Sequence, residues 1–501
     1  MNTMDMLRKL RDHGGKAVTR GLQDEVIQDF ANSDPLLRQA VEEAFKSHGE
    51  LVKSHPDILA MDEWDQVHAL QQDFVNFYPD DVVNPYVPLA ARGPWIVTAK
   101  GAVLHDNGGY GMLGHGHGPQ KVLDAMNQPH VMANIMTASV SQLNFSKQLR
   151  KEIGQRRNDT PFAKFLCMNS GSEAVTVACR ISDVNAKLMT DPGGRHEGKT
   201  IKKLALTGGF HGRTDRPAQF SDSSRKTYLQ HLASFRGRDD LVTIEPNNPE
   251  ALKKAFDDAE KNNVFFETIF MEPVMGEGNP GMAVTPEFYA LARELSKKHG
   301  ALLLMDSIQA GLRTTGYLSI TDYPGFENLE GPDMESYSKA LNAGQYPLSV
   351  LAMNANAAGL YRKGIYGNTM TANPRALDVG VAVLEAVTPE LRENIVAKGQ
   401  EFIEKFEKLA GELDGRITKV QGTGLLFSCE LDSRYKCYGE NSTEEYLRMQ
   451  GVGVIHGGAN SLRFTPHFAI TSKEVDLIVE ATRDALLNGP NAKAEPARAS
   501  A

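Results

Sequence analysis

The sequence predicts an α/β protein with a large domain on a mostly parallel sheet, followed by a smaller α+β domain, and three observations predict it. From about residue 130 to 385 short apolar runs alternate with helical stretches. FAKFLCMN leads to GSEAVTVACRISDVNAKLM, and VFFETIFMEPV to TPEFYALARELSKKHG and then ALLLMD. Strands that are apolar almost throughout are buried on both faces, which is the pattern of a parallel sheet covered by helices. After about 386 the character changes: a long amphipathic helix, PELRENIVAKGQEFIEKFEKLAGELDG, precedes strand candidates TKVQGTGLLFSCEL and SLRFTP and a last helix near SKEVDLIVEATRDALL. Finally, 501 residues of which 41% are hydrophobic supply a core of this size without disulfides or structural zinc. The expected divisions are a helical N-terminal extension and interface segment over 1–94, part of the small domain or the approach to the active site over 95–129, the large domain over 130–385, the small domain over 386–487, and a disordered tail over 488–501.

Taken in order, SDPLLRQAVEEAF places Asp34 as a helix N-cap and Pro35 at the first helical position, ahead of apolar Leu36, Leu37, Ala40, Val41 and Ala44. A turn-rich passage, FYPDDVVNPYVPLAARGP, then enters a hairpin at WIVTAKGAVLHD. The opening residues lack an apolar signal region, and no run approaches 18 uninterrupted apolar residues. Cys167, Cys179, Cys429 and Cys437 never form a CxxC pair. A cytoplasmic protein without a membrane span is therefore expected. With 54 basic and 63 acidic residues the net charge is −9, which argues against nucleic-acid or anionic-membrane partners. GGYGMLG contains a literal GxGxxG, but GHGHGP interrupts it where a dinucleotide fold needs a helix. His115 and His117 stand two apart without a third ligand, so no metal is expected.

The chemistry gathers where strands give way to loops. In FLCMNSGSEAV a strand ends at Asn169, and Ser170, Gly171 and Ser172 turn into a helix containing Glu173. Hydroxyls, a glycine and unpaired first-turn amides make a phosphate cradle, although Ser170 alone also reads as a plain N-cap. ALLLMDSIQAG carries five apolar residues to Asp306, with Gln309 after a short turn; a carboxylate at the edge of a buried sheet needs a positive partner, and a protonated pyridine nitrogen meets that need. Lys339, in DMESYSKALNAG, stands among small and polar residues, where a desolvated lysine can lose its proton and attack an aldehyde. Cradle, carboxylate and lysine together fit pyridoxal phosphate.

This set, with GHGHGP, NSGSEAV, GGFHGRT, EPVMGEG, MDSIQAG, YSKAL, GNTMTANP and LRFTP in order over roughly residues 95 to 470, resembles the class III aminotransferases of pyridoxal-phosphate fold type I, the ornithine, acetylornithine and 4-aminobutyrate aminotransferase family. The resemblance implies that Lys339 forms the Schiff base with pyridoxal 5′-phosphate and moves the proton, while Asp306 pairs with the pyridine nitrogen and Gln309 neighbours the phenolic oxygen. Ser170, Gly171 and Ser172 would hold the phosphate, with Thr369 from the other subunit of a homodimer, Phe210 would cover the pyridine face, and Glu272 would lie by the pocket. Arg463 would clamp a substrate carboxylate, and Glu277 would pair with it when the substrate lacks one there. The implied reaction is ping-pong transfer from an ω-amino acid or related amine to a keto acid, 2-oxoglutarate or pyruvate. The sequence departs from the family at Ser307, where glutamate is usual, at Ala310, where threonine is usual, and in a long stretch over 319–332. On the same scaffold a racemase or aminomutase and a lyase remain alternatives, and a noncatalytic interaction protein is the alternative of a different class.

Overall fold

The computed structural model describes residues 1–78, 83–132 and 135–493, in two compact units. One comprises residues 120–397 and 422–426. At its centre is a seven-stranded sheet of β1 (Lys164–Met168), β2 (Thr200–Leu206), β3 (Leu241–Ile244), β4 (Val264–Met271), β5 (Leu302–Asp306), β6 (Met334–Tyr337) and β7 (Ser349–Met353), in the spatial order β1-β7-β6-β5-β4-β2-β3. All run parallel except β7, which is antiparallel to both its neighbours, β1 and β6.

Both faces of this sheet are covered, as the apolar strands require. The helix Gly171–Thr190 buries Ala174, Val175, Val177, Ala178 and Ile181 against Met168, Leu304 and Leu351. On the other face Leu252 and Phe256 of the helix Pro249–Lys261, with Phe288 and Ala292 of Pro286–His299, pack on Phe266, Ile269, Leu303 and Met305. Each fully buried Val, Leu, Ile or Phe adds about 1.5–3 kcal/mol of burial free energy. The parallel strands thus share one carboxyl edge, where ligands collect in open α/β sheets.

The other unit comprises residues 1–119, 398–421 and those from 427 on. Its N-terminal part is helical, and the helix Pro35–Ser54 begins with Asp34 accepting from the Leu36 amide at 2.8 Å. The other oxygen of Asp34 accepts from the Trp95 indole at 2.5 Å, fastening that helix to the hairpin of strands Trp95–Thr98 and Val103–Asp106. Strand Val452–Gly453 extends the hairpin sheet in parallel beside His105 and Asp106. A second sheet holds Ser461–Phe464 between Leu426–Leu431 and Ile455–Gly457, and Phe402, Phe406, Phe427 and Phe464 stack at its face.

One buried cluster in this unit has the composition of a metal site and the bonding of a helix cap. His105 and His467 both donate through Nε2 to Oε1 of Glu474, at 3.0 and 2.9 Å, while Oε2 takes the amide and hydroxyl of Thr471 at the start of the helix Ser472–Asn488. His117 bonds Asp106 at 2.9 Å and His115 packs on Phe468, so the two histidines of GHGHGP have separate partners. Of the expected tail, residues 494–501 lie outside the described residues, as do 79–82 of the turn-rich passage. Among the described residues no helix is long and apolar enough to cross a membrane.

Candidate active site

The carboxyl edge of the large sheet brings together most of the residues singled out in the sequence. β1 delivers Ser170, whose hydroxyl accepts from the Glu173 amide while the Glu173 carboxylate accepts from the Asn169 and Ser170 amides at 2.8 and 3.0 Å, a closed capping box. Tyr366 Oη and Asn368 Nδ2 donate to the other oxygen of Glu173 at 3.0 and 2.7 Å. That ties the loop bearing exposed Thr369 to the helix start of the same chain.

The first-turn amides of Gly171 and Ser172 take no bond within the helix. A Cβ on Gly171 would stand 2.7 Å from Ile308 Cδ1, and one on Gly212, whose φ is 111°, would stand 2.5 Å from Ser172 Oγ. Glycine at both positions lets the loops close on the helix end, leaving the narrow, amide-lined cradle that a phosphate ester fits.

Asp306 ends β5, 3% exposed. Its Oδ2 lies 2.9 Å from Nδ1 of buried His211, and its Oδ1 accepts from the Ser336 hydroxyl at 3.1 Å and the Ile308 amide at 3.2 Å. Among the described residues these partners are an imidazole, a hydroxyl and an amide, none a permanent cation. Nε2 of His211 is itself buried without a hydrogen-bond partner. A buried carboxylate without a permanent cation among these partners is costly, and it fits a site completed by a protonated ring nitrogen.

Lys339 follows the adjacent strand β6, whose Ser336 lies opposite Asp306. It opens the turn Lys339–Asn342 with a φ of 45°, a left-handed conformation that costs a non-glycine residue on the order of 1 kcal/mol. The turn is held from behind by Ser338 Oγ and Asn342 Nδ2, both donating to the Leu348 carbonyl at 2.9 Å. A strained backbone fixed by its surroundings is how a reactive side chain is kept aimed.

Glu272, after β4, accepts from the Phe210 and Gly276 amides at 3.0 and 2.9 Å, and so joins the loop after β2 to the loop after β4. Burial pushes its carboxyl up to about 7, against the pull of His211 and the two amides. Gln309 is buried one turn beyond Asp306. Glu277 has Arg213 as its ion-pair partner within this unit, at 3.9 Å, and the Arg213 guanidinium lies 5.3 Å from the centre of the Phe210 ring. Arg463 belongs to the other unit, where it is 2% exposed on its strand with its guanidinium 5.6 Å from the Tyr110 ring, not a surface cation.

His211, Arg213 and Ser336 are the site residues the sequence reading missed. Two of them lie inside GGFHGRT, one and three positions after Phe210, and Ser336 lies three positions before Lys339. Proximity to a singled-out residue was the available signal.

Residues 77–486 match the family model described as aminotransferase class-III. Ornithine aminotransferase 2 of Staphylococcus aureus is 28% identical over 404 residues, 80% of this chain and 93% of that protein. Among solved structures, ornithine aminotransferase from Toxoplasma gondii ME49 superposes with a TM-score of 0.72 at 23% identity, covering 87% of this chain and 98% of that one. Acetylornithine aminotransferase from Elizabethkingia anophelis gives 0.68 at 24% identity, covering 85% and 99%. A match over most of the length, to a family whose fold is that of the sheet and helices described above, leads to one conclusion: this chain belongs to the class III pyridoxal-phosphate-dependent aminotransferases, of fold type I.

Proposed function

We propose that the enzyme moves an amino group from an ω-amino acid or related amine to 2-oxoglutarate or pyruvate, by a ping-pong mechanism with pyridoxal 5′-phosphate at Lys339. The observation that carries this reading is the buried Asp306 carboxylate, held by neutral or titratable groups at a strand end, with Lys339 delivered by the next strand. When bound, the cofactor supplies an electron sink that weakens the substrate C–H bond beside the amine.

The chain does the rest. Asp306 would keep a proton on the pyridine nitrogen. Lys339 would hold the cofactor's aldehyde carbon and, when freed, serve as the proton carrier beside the substrate carbon. Ser170, Gly171 and Ser172 hold the phosphate, with Thr369 of a second copy in a homodimer. Phe210 covers the pyridine face, Gln309 neighbours the phenolic oxygen, and Glu272 fixes the loop that carries Phe210. Arg463 and Glu277 would manage substrate carboxylates, and Arg213, with one guanidinium nitrogen 3.9 Å from Glu277 and its charge over the Phe210 ring, is a further cation for them. Cytoplasmic residence belongs to this reading, supported by four free cysteines.

The test has two stages. Borohydride reduction and peptide mapping place a phosphopyridoxyl group on Lys339, and Lys339→Ala abolishes turnover. A donor panel with separate keto-acid acceptors, read by chromatography, then yields an oxo product and an aminated acceptor in equal amounts. Label at another lysine only, or epimerised or eliminated product without need of an acceptor, would overturn the reading.

A further inference from the structure

The departure from the family at Ser307 and the long stretch after residue 319 meet at one side chain. Glu335, on β6, is fully buried. Its Oε1 accepts from the Ser307 hydroxyl at 2.5 Å and the Ile320 amide at 2.9 Å, and its Oε2 from the Ser319 hydroxyl at 2.6 Å and the Tyr337 hydroxyl at 2.9 Å. A carboxylate enclosed by four donors on three separate segments is a structural hub, and the segment it holds most closely is the one directly after Asp306.

We propose that Glu335 is a positioning residue for the cofactor site: from the neighbouring strand it supplies the carboxylate that the family usually carries directly after the pyridine-pairing aspartate, and through Ser307 it fixes the direction of Asp306. The proposal rests on the reading of Asp306 and Lys339 given above. Its geometry follows from the pleat. β5 and β6 run parallel with Met305 opposite Glu335 and Asp306 opposite Ser336, and successive side chains of β6 point to opposite faces of the sheet. Ser336 therefore grips Asp306 from one face while Glu335 grips Ser307 from the other, and the Ser307 amide donates to the Ser336 carbonyl at 3.0 Å between them. The end of β5 is clasped on both sides, so Asp306 has little freedom to turn away from a ring nitrogen. Ser319 and Ile320 bring the start of the long stretch onto the same carboxyl, which gives that departure a physical connection to the cofactor site. A lone serine at 307 could not do this; a serine with a buried acceptor opposite can.

Two conservative variants separate positioning from bulk stability. Ser307→Ala removes one donor and almost no volume. Glu335→Gln keeps the shape, and its amide can face Ser319 and Tyr337, whose hydroxyls are able to accept. In Ser307→Ala, pyridoxal phosphate binding to the apoprotein weakens by roughly tenfold or more, the scale of one buried hydrogen bond to a charged group, and the pH midpoint of the bound cofactor's absorbance shifts because Asp306 no longer holds the ring proton as firmly; Glu335→Gln, whose carbonyl oxygen still accepts from Ser307, stays closer to wild type in both. The double variant Ser307→Glu/Glu335→Val returns the carboxylate to β5 and recovers the midpoint; should it not fold, the single variants decide. Ser307→Ala protein that binds within about twofold of wild type with an unmoved midpoint overturns the proposal, as does a lower melting temperature with both cofactor readouts unchanged. Wild-type protein that takes no borohydride label on Lys339 would overturn the cofactor reading itself, and the proposal with it, whereas a labelled wild type with unaffected variants overturns only the role of Glu335.

Discussion

Asp306 shows how one atom's electrostatics depend on everything around it. Its two oxygens accept from His211, Ser336 and Ile308, and each of these bonds would survive, at least in part, replacement of the carboxylate by an amide. Shape is therefore not what the carboxylate contributes. Asp306→Asn removes the negative charge from the position proposed to face the pyridine nitrogen while leaving the loop nearly intact. The expected result is a loss on the order of 10²-fold in single-turnover proton abstraction, since preorganised charge is worth most in a dry site. Cofactor affinity falls as well, with little change in the melting temperature of the apoprotein. Stopped-flow absorbance on the donor half-reaction measures this, and near-normal kinetics would remove Asp306 from the electrostatic role.

At the scale of elements, what could be read in advance was what depends on local sequence. The capping box at Ser170 and Glu173 is written in four consecutive residues, and Asp306 is conspicuous as the charge that closes an apolar run. Asp34 and Pro35 likewise announce a helix start, and the helix begins there. Glu335 could not be read in this way. In MESYS it looks like the solvent-facing member of an alternating strand, and only the pairing of β6 between β5 and β7, with residues 319–320 folded over it, makes it interior. His211 escaped for a related reason: its partner Asp306 is 95 residues away, and nothing local distinguishes an imidazole that will face a carboxylate from one that will face water. The indole bond to Asp34 is a similar surprise across 61 residues, and it makes a quantitative prediction. Asp34→Ala deletes an N-cap and leaves a buried indole N–H unpaired, so the loss should be about 2–4 kcal/mol, more than a cap alone gives. Urea unfolding of the variant measures it; a loss under about 1 kcal/mol would mean that the indole bond contributes nothing.

Across the whole molecule, four carboxyls shift in opposite directions for opposite reasons. In the sheet unit, burial pushes Glu272 and Glu335 up to about 7, against an ordinary 4.5. Folded chains then hold protons that unfolded chains have released, so this contribution is fully present below pH 4.5 and is lost as pH rises towards 7. In the other unit, hydrogen bonds from His105 and His467 outweigh burial and hold Glu474 far below 4.5, and bonds from Lys398, Lys405 and Ser472 outweigh it at Glu401, bringing that carboxyl to about 2. Those contributions are present above pH 4.5 and are lost as pH falls through the folded values. Glu335→Gln should therefore flatten the stability gained from pH 8 to 5, and Glu474→Gln the stability lost below pH 4.5. Thermal melts by circular dichroism across this range test the claim, and variants whose pH dependence matches that of the wild type would contradict it.

The placement of Trp95 against Asp34 bears on how such melts can be resolved. The chain has two tryptophans, Trp64 and Trp95, and both fall in the unit that contains the N-terminus. Intrinsic emission excited at the red edge of the protein band is then a native, label-free reporter of that unit alone. The sheet unit, with tyrosines but no indole, stays dark in the same channel.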